Sequence, residues 1–370
     1  MDKKKNILFL LSHQPNPRFV KQINYLSQTN DVSVLYYYRD YMKDLSIEYS
    51  DKVILNKSLG IISNGNYIKR IDNYFKSFIQ LKSILRHQSY NTLIVNNIDT
   101  LALFKLSSLF SKTKTKIFIE ISDLRIHTFT NNFKSNIIKI IEKFIFKFVD
   151  KLIVTSPKFY SMYYKTLFKG EPFVLENKPL SNMIPTKIIK QKNDKIIIGI
   201  VGLLLQGKPY KALFEAIIND DRYEVHIYGK GTYQPLVEEY AQKYKNIKYF
   251  GEYNFFQDSA KIYSSLDILY MPYDTTTNSL NNKVALPNKL YEAMYFQVPI
   301  ITSFGTYLGE LVESYGIGKV IKCCDKSELL EIIEKISLEM ERFNKSFENL
   351  DKQIYLADDD YIRLEKYVQN

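Results

Sequence analysis

The stretch Lys195-Ile196-Ile197-Ile198-Gly199-Ile200-Val201-Gly202-Leu203-Leu204-Leu205-Gln206-Gly207-Lys208-Pro209-Tyr210-Lys211 decides how the chain reads. Residues 195–201 form a nearly continuous apolar run, the pattern of a strand covered on both faces. Gly202 and Gly207 then allow a tight turn, and apolar residues recur at helical spacing over 211–218. A strand, a glycine turn and a helix are the opening of a βαβ unit, and such units build parallel sheets.

The same alternation extends in both directions. Beyond the quoted stretch, strands are predicted at 223–228, 247–250, 267–271 and 299–302, with helices at 236–243, 259–265, 288–295 and 327–348. Before it, strands are predicted at 6–11, 31–37, 91–95, 116–121 and 151–155, with helices at 18–28, 67–87 and 136–148. Between the two series lies Asn177-Lys178-Pro179-Leu180-Ser181-Asn182-Met183-Ile184-Pro185, followed by a polar stretch to Asp194, with two prolines and few core residues. The expectation is an α/β fold of two Rossmann-like domains, residues 1–183 and 184–349, with a deep cleft between them.

The net charge of +11 is unevenly spread. Residues 1–180 hold 28 Lys and Arg against 14 Asp and Glu, and the remainder holds 23 against 26. A basic first half reads either as a solvated surface or as a face for something anionic, a nucleic acid or the inner leaflet of a membrane. The aromatic residues sit inside apolar strand and helix patterns instead of alternating with Lys and Arg, which counts against nucleic acid. The two cysteines, Cys323 and Cys324, are adjacent, so neither a disulfide nor a zinc site is expected and a reduced, cytoplasmic setting is. The apolar run at 7–11 is too short for a signal peptide, and no stretch is long enough to span a bilayer.

Several strand ends carry residues suited to a ligand crevice. Gly202 and Gly207 let backbone approach a ligand, and Lys208 or Lys211 would supply charge for a diphosphate, although taken alone these residues favour an ordinary strand-to-helix turn with surface lysines. Neither a P-loop nor a dinucleotide fingerprint is present. Val225-His226-Ile227-Tyr228-Gly229-Lys230-Gly231, Phe250-Gly251-Glu252-Tyr253 and Leu266-Asp267-Ile268-Leu269-Tyr270-Met271-Pro272-Tyr273 repeat the pattern of a strand ending in turn residues. In Leu286-Pro287-Asn288-Lys289-Leu290-Tyr291-Glu292-Ala293-Met294, Pro287 marks a helix entry, Asn288 is the expected cap, and Glu292 lies one turn in. A carboxylate there either favours the helix dipole or accepts hydrogen bonds from vicinal hydroxyls such as those of a ribose.

Taken together, these segments resemble the family-4 group of retaining glycosyltransferases with the GT-B fold, in the branch that builds bacterial surface polysaccharides. The resemblance rests on Gly202 with Lys208, the Tyr-Gly-x-Gly at 228–231, Phe250-Gly251, Asp267 to Pro272, the Pro-Asn-Lys-Leu-x-Glu-Ala-Met at 287–294, Val298-Pro299-Ile300, and Gly305 with Glu310. Weaker echoes are Asn16-Pro17-Arg18, Glu120 to Leu124, and Asp150 to Ser156.

The resemblance implies transfer of a sugar from a UDP- or GDP-sugar to a glycan or lipid-linked acceptor, with retention and without a metal or other cofactor. It implies donor binding by Gly202, Lys208, Lys211, Gly229, Gly251, Glu252, Tyr273, Pro287, Asn288, Lys289 and Glu292, with Glu292 on the ribose. Asp123 or His127 of the first domain would contact the reacting sugar, and His13 and Arg18 would line the acceptor side. Residues 350–370 would pack back on the first domain. Where many relatives carry a second glutamate this chain has Val284, and where many carry an arginine it has Leu203; Asp274, Asn278 or Lys289 are the candidate substitutes.

Two other classes compete: a nucleotide-sugar epimerase on the same fold, and a non-catalytic basic protein binding membrane or nucleic acid. The segment 133–148 bears on the second. It is basic and strongly apolar at helical spacing, and reads either as a core helix with solvated lysines or as an interfacial helix lying on anionic lipid, with 67–87 extending the same face. The expected location is therefore peripheral, on the inner face of the cytoplasmic membrane.

Overall fold

A computed structural model describes residues 4–39, 49–62, 67–110, 114–189, 194–277, 279–322 and 324–369; Asn278 and Cys323 lie outside them, as do the side chains of Lys69 and Arg70. The chain divides into two compact units, Met1–Glu176 with Asp360–Asn370, and Asn177–Asp359.

The first unit is built on a seven-stranded sheet. Its strands are β1 (Asn6–Leu11), β2 (Asp31–Arg39), β3 (Val53–Ile62), β4 (Thr92–Val95), β5 (Lys116–Ile121), β6 (Lys151–Val154) and β7 (Phe173–Val174), in the order β3-β2-β1-β4-β5-β6-β7. Every pairing is parallel. Helices cover both faces, so Ile7, Leu8, Phe9, Leu10 and Leu11 of the central β1 are all fully buried. Each such side chain contributes about 1.5–3 kcal/mol relative to exposure. β3 was not foreseen: it is an edge strand with polar outward positions, and its register slips twice against β2. The last helix packs here, with Tyr361 edge-on to Tyr25 at 5.0 Å and Tyr367 stacked on Phe173 at 4.8 Å.

The second unit repeats the scheme with six parallel strands: β8 (Ile196–Val201), β9 (Tyr223–Tyr228), β10 (Ile247–Tyr249), β11 (Ile268–Met271), β12 (Ile300–Ser303) and β13 (Gly318–Ile321). Their order is β10-β9-β8-β11-β12-β13. Two of the aspartates singled out in the sequence prove to be strand anchors. Asp267 accepts the Ile197 N–H at 2.8 Å just before β11, and Asp150 accepts the Ile117 N–H at 2.8 Å just before β6.

Several helix expectations need correction: the helix expected at 259–265 begins at Phe255, and that expected at 136–148 runs Phe133–Ile145. The helix after β8 runs Gly207–Ile217, four residues earlier than expected, because Pro209 falls in the first turn, where no backbone N–H is required. The segment 327–348 is two helices, Lys326–Leu338 and Met340–Glu348, joined at Glu339 with φ −100° and ψ 15°. In both sheets the strand order reverses next to the first strand, between β1 and β4 and between β8 and β11. At such a reversal the connections leave on opposite faces and open a crevice beyond the strand carboxyl ends.

Candidate functional site

Beyond β8, β9 and β10 the chain continues as a ladder of turns. The Gly202 N–H donates to the Tyr228 carbonyl at 2.7 Å, Leu204 N–H to the Lys230 carbonyl at 2.9 Å, and Gly229 N–H to the Gly251 carbonyl at 2.6 Å. Gly229 has φ +129°, and a Cβ on it would stand 1.9 Å from the Gly202 carbonyl oxygen. Only glycine satisfies both constraints. Beside this ladder the rings of Tyr228 and Phe250 stack at 4.7 Å with planes 8° apart, and Phe250 remains half exposed.

At the β8/β11 reversal lies a cavity of about 300 Å³. Its walls include Val201, Leu203 and Gln206 from the first turn, Met271 to Tyr273 from β11 and its end, and Pro287 to Lys289 from the following helix. The side chain of Lys289 reaches Gly202: a Cβ built there would be 2.0 Å from the lysine Cε and 2.3 Å from Nζ. The Lys289 ammonium has no carboxylate partner among the described residues. One helical turn later, on the same face, Glu292 is buried. Tyr263 Oη donates to its Oε2 at 2.6 Å, and among the described residues its Oε1 takes no protein donor. Burial, and then the charge of Glu292, hold the Tyr263 phenol far above its ordinary range, so it stays a donor.

The other residues expected at the donor site sort into groups. Tyr273 lines the cavity and is fixed by its backbone N–H on Ser303 Oγ at 2.9 Å. Lys208 is exposed in the first turn of its helix, with Nζ 3.4 Å from Thr276 Oγ1. Lys211 stands apart from the cavity, 3.7 Å from Glu215, which Lys326 also pairs. Glu252 is exposed and paired with Lys230 at 2.7 Å, after the left-handed turn of Gly251 at φ +76°. Asn288 is not the helix cap. Pro287 occupies that position, and Asn288, the first helical residue, accepts from Asn177 through its Oδ1. Val284 is buried, Leu203 is two-thirds exposed on the cavity wall, and the Asp274 N–H donates to Gln206 Oε1 at 2.8 Å.

The first unit holds the matching cavity, about 200 Å³ at the β1/β4 reversal, lined by His13, Asn96, Asp123, Arg125 and Glu142 among others. His13 Nδ1 lies 2.7 Å from the Gln14 carbonyl, which only accepts, so Nδ1 carries the proton. Nε2 then accepts from Asn96 Nδ2 at 3.0 Å. Burial first, then the cations Arg39, Arg18 and Arg125, lower the His13 pKa, and the ring is neutral at pH 7. Arg18 turns away to the fully buried Glu120, Nε to Oε1 3.0 Å, which also accepts from Gln22. His127 is buried behind the cavity, with Nε2 3.2 Å from Glu142 Oε2, the same oxygen that accepts the Tyr163 hydroxyl at 2.6 Å.

Sequence reasoning missed Asn96, Arg125 and Glu142 in this cavity and Tyr263 in the second unit. Tyr263 is one of 30 tyrosines and carries no local signal. Arg125, two residues past Asp123 at a strand end, could have been found by position alone. Among the described residues no three His, Cys, Asp or Glu side chains gather as a metal would require.

Two doubly wound parallel units in one chain, each with its crevice at the order reversal, define the GT-B class of α/β proteins. Residues 185–353, within the second unit, match the family described as glycosyl transferases group 1. Among solved structures the chain is similar to sucrose-phosphate synthase from Thermosynechococcus elongatus, with TM-score 0.72, 14% identity and 98% of each chain covered. It is also similar to the lipopolysaccharide outer core galactosyltransferase WaaB, with TM-score 0.68, 13% identity, and 99% of this chain and 100% of that one covered. A third likeness is Anabaena HepE in complex with UDP, with TM-score 0.67, 13% identity, and coverage of 98% and 99%. Comparison with curated proteins gives no match.

Proposed function

We propose that the chain is a retaining glycosyltransferase that moves a sugar from a UDP- or GDP-sugar to a glycan or lipid-linked acceptor in bacterial surface-polysaccharide synthesis. The observation that carries this reading is the pairing, on one helix face, of the buried carboxylate Glu292 and the ammonium of Lys289, over the glycine turn of a crevice; among the described residues Glu292 Oε1 takes no protein donor and Lys289 has no carboxylate partner. A ribose presents two vicinal hydroxyls for the first and a diphosphate two anionic groups for the second. The unpaired amides opening the Gly207–Ile217 helix add partial positive charge at the same place. Those groups bind the leaving nucleoside diphosphate more tightly as its charge develops, which lowers the barrier to breaking the glycosidic bond.

The match of residues 185–353 to the glycosyl transferases group 1 family supports this reading, as do the neighbours solved with UDP and with UDP-glucose and those described in lipopolysaccharide synthesis. In this reading Gly251 to Tyr253 flank the base, and Asp123 and the neutral His13 in the first unit's cavity contact sugar hydroxyls. Val284 provides no carboxylate, and Lys289 supplies the charge that Leu203 does not.

The test is thermal shift against UDP, GDP, CDP and ADP, followed by transfer assays with the donor that the stabilising nucleotide names. A ligand that binds only the folded state raises the melting temperature by mass action. One nucleotide is expected to stabilise the wild type and to lose that effect in Glu292→Gln. Nucleotide release that needs no acceptor would favour the epimerase, and the absence of any response would overturn the donor site.

A further inference from the structure

We propose that the exposed face of the Phe133–Ile145 helix, with the end of the neighbouring Ile98–Ser107 helix, docks on an anionic lipid bilayer. The helix is amphipathic in the inverted sense. Its buried positions are Ser135, Glu142 and Ile145, two of them polar, and Glu142 is held from inside by His127 and Tyr163. Apart from Ile145, its strongly apolar stripe points outward: Phe133 is 81% exposed, Ile140 70% and Phe144 57%. A contiguous patch of that kind on a folded unit marks an interaction surface.

The neighbouring helix extends the patch. Lys105 places its ammonium 4.6 Å over the ring of Phe148, itself edge-on to Phe144 at 5.6 Å, and Leu106 and Leu109 beyond it are exposed. The charge around the patch has one sign. Lys134, Lys143 and Lys147 are exposed, and the single acidic residue between positions 126 and 148 is Glu142, which is buried.

That charge selects the occupant. A second copy seated on the same face by a two-fold axis would bring its own lysines against these and repel them. A bilayer with anionic headgroups offers the complement. Apolar side chains enter the acyl boundary while lysine stems lie along the interface and their ammoniums meet phosphate.

The experiment is co-sedimentation of the full chain with vesicles of phosphatidylcholine alone and of phosphatidylcholine with phosphatidylglycerol, at low salt and at about 1 M, where the screening length falls to roughly 3 Å. Binding is expected on the anionic vesicles alone and is weakened by salt. Each lysine near such a surface contributes about fivefold, so Lys134→Gln, Lys143→Gln and Lys147→Gln together reduce partitioning roughly a hundredfold. Ile140→Ser with Phe144→Ser removes it at either salt. These positions face solvent, so an unchanged melting temperature certifies the fold.

Equal binding of the variants, or none by the wild type, overturns the proposal. A concentration-dependent dimer that the Ile140→Ser, Phe144→Ser variant dissociates, without vesicle binding, assigns the face to a second copy instead. The nucleotide response of the second unit is expected to be unchanged in every variant, so the donor reading stands or falls separately.

Discussion

The Lys289 side chain ends over Gly202, 87 positions earlier in the chain, so close that a methyl group on the glycine would stand 2.3 Å from its ammonium. The ammonium makes no ion pair among the described residues, so its removal takes little from the folded state. Lys289→Met is expected to leave the melting temperature of the free protein unchanged. It should weaken the stabilising nucleoside diphosphate about tenfold to a hundredfold, the usual worth of a bond to a charged group. Titration calorimetry on both proteins checks this. Equal affinity would remove Lys289 from the site.

Two glycines of the same ladder respond differently to alanine. At Gly202, φ +101°, the added methyl meets only the flexible end of Lys289, so the cost is backbone strain of about 1–2 kcal/mol plus displacement of that lysine. At Gly229, φ +129°, it meets the Gly202 carbonyl at 1.9 Å, and backbone cannot step aside. Denaturant titration should rank Gly229→Ala well below Gly202→Ala in stability, while Gly202→Ala loses nucleotide binding before it loses the fold.

Glu292 and Tyr263 separate binding from stability. Tyr263→Phe leaves a buried carboxylate oxygen short of its donor and costs about 1–3 kcal/mol. Glu292→Gln keeps an acceptor for the tyrosine but offers hydroxyl groups a neutral partner. Nucleotide affinity should therefore fall more in Glu292→Gln, and thermal stability more in Tyr263→Phe. The reverse order would place Glu292 in the core alone.

How much of this was legible beforehand follows from the range of each interaction. β1, β5, β9 and the helix Tyr67–His87 were read with their observed limits, because an apolar run or a helical period is a local property. β3 was not, since an edge strand with half-polar positions has neither signal. Asp150 and Asp267 stood out in the sequence, but their function as strand anchors appears only with the neighbouring strand in place. The approach of Lys289 to Gly202 depends on β8 and β11 lying side by side, which no local pattern encodes. His127 was expected to contact the reacting sugar. A four-residue helix, Ile126–Phe129, instead turns it inward onto Glu142.

That inward turn is itself testable. Glu142 is buried and its Oε2 accepts from both His127 and Tyr163, so deleting either donor leaves a carboxylate undersatisfied. Tyr163→Phe should cost about 1–3 kcal/mol, and His127→Ala should cost at least as much because it also opens a void. Neither should change nucleotide affinity. If His127→Ala is fully stable yet abolishes sugar transfer, the histidine touches the reacting sugar and the buried arrangement is not the working one.

Lys21 gives the chain a pH signature in the first unit. Burial, then the nearby Arg18, lowers its pKa from 10.5 to about 8 against the opposing pull of Glu120 and Asp360. Between those values the unfolded chain holds a proton that the folded chain does not, so stability rises with pH across the window. The full cost of charging the buried amine is present below pH 8, and its relief amounts to about 3 kcal/mol by pH 10.5. Buried tyrosines act in the opposite sense. Burial raises Tyr37 and Tyr210 to about 12, so above pH 10 the unfolded chain releases protons that the folded chain keeps. Unfolding followed from pH 7 to about pH 12 should therefore show stability increasing before it declines. Lys21→Met should flatten the rise and leave the decline, and a rise that survives the substitution would mean that Lys21 is not its source.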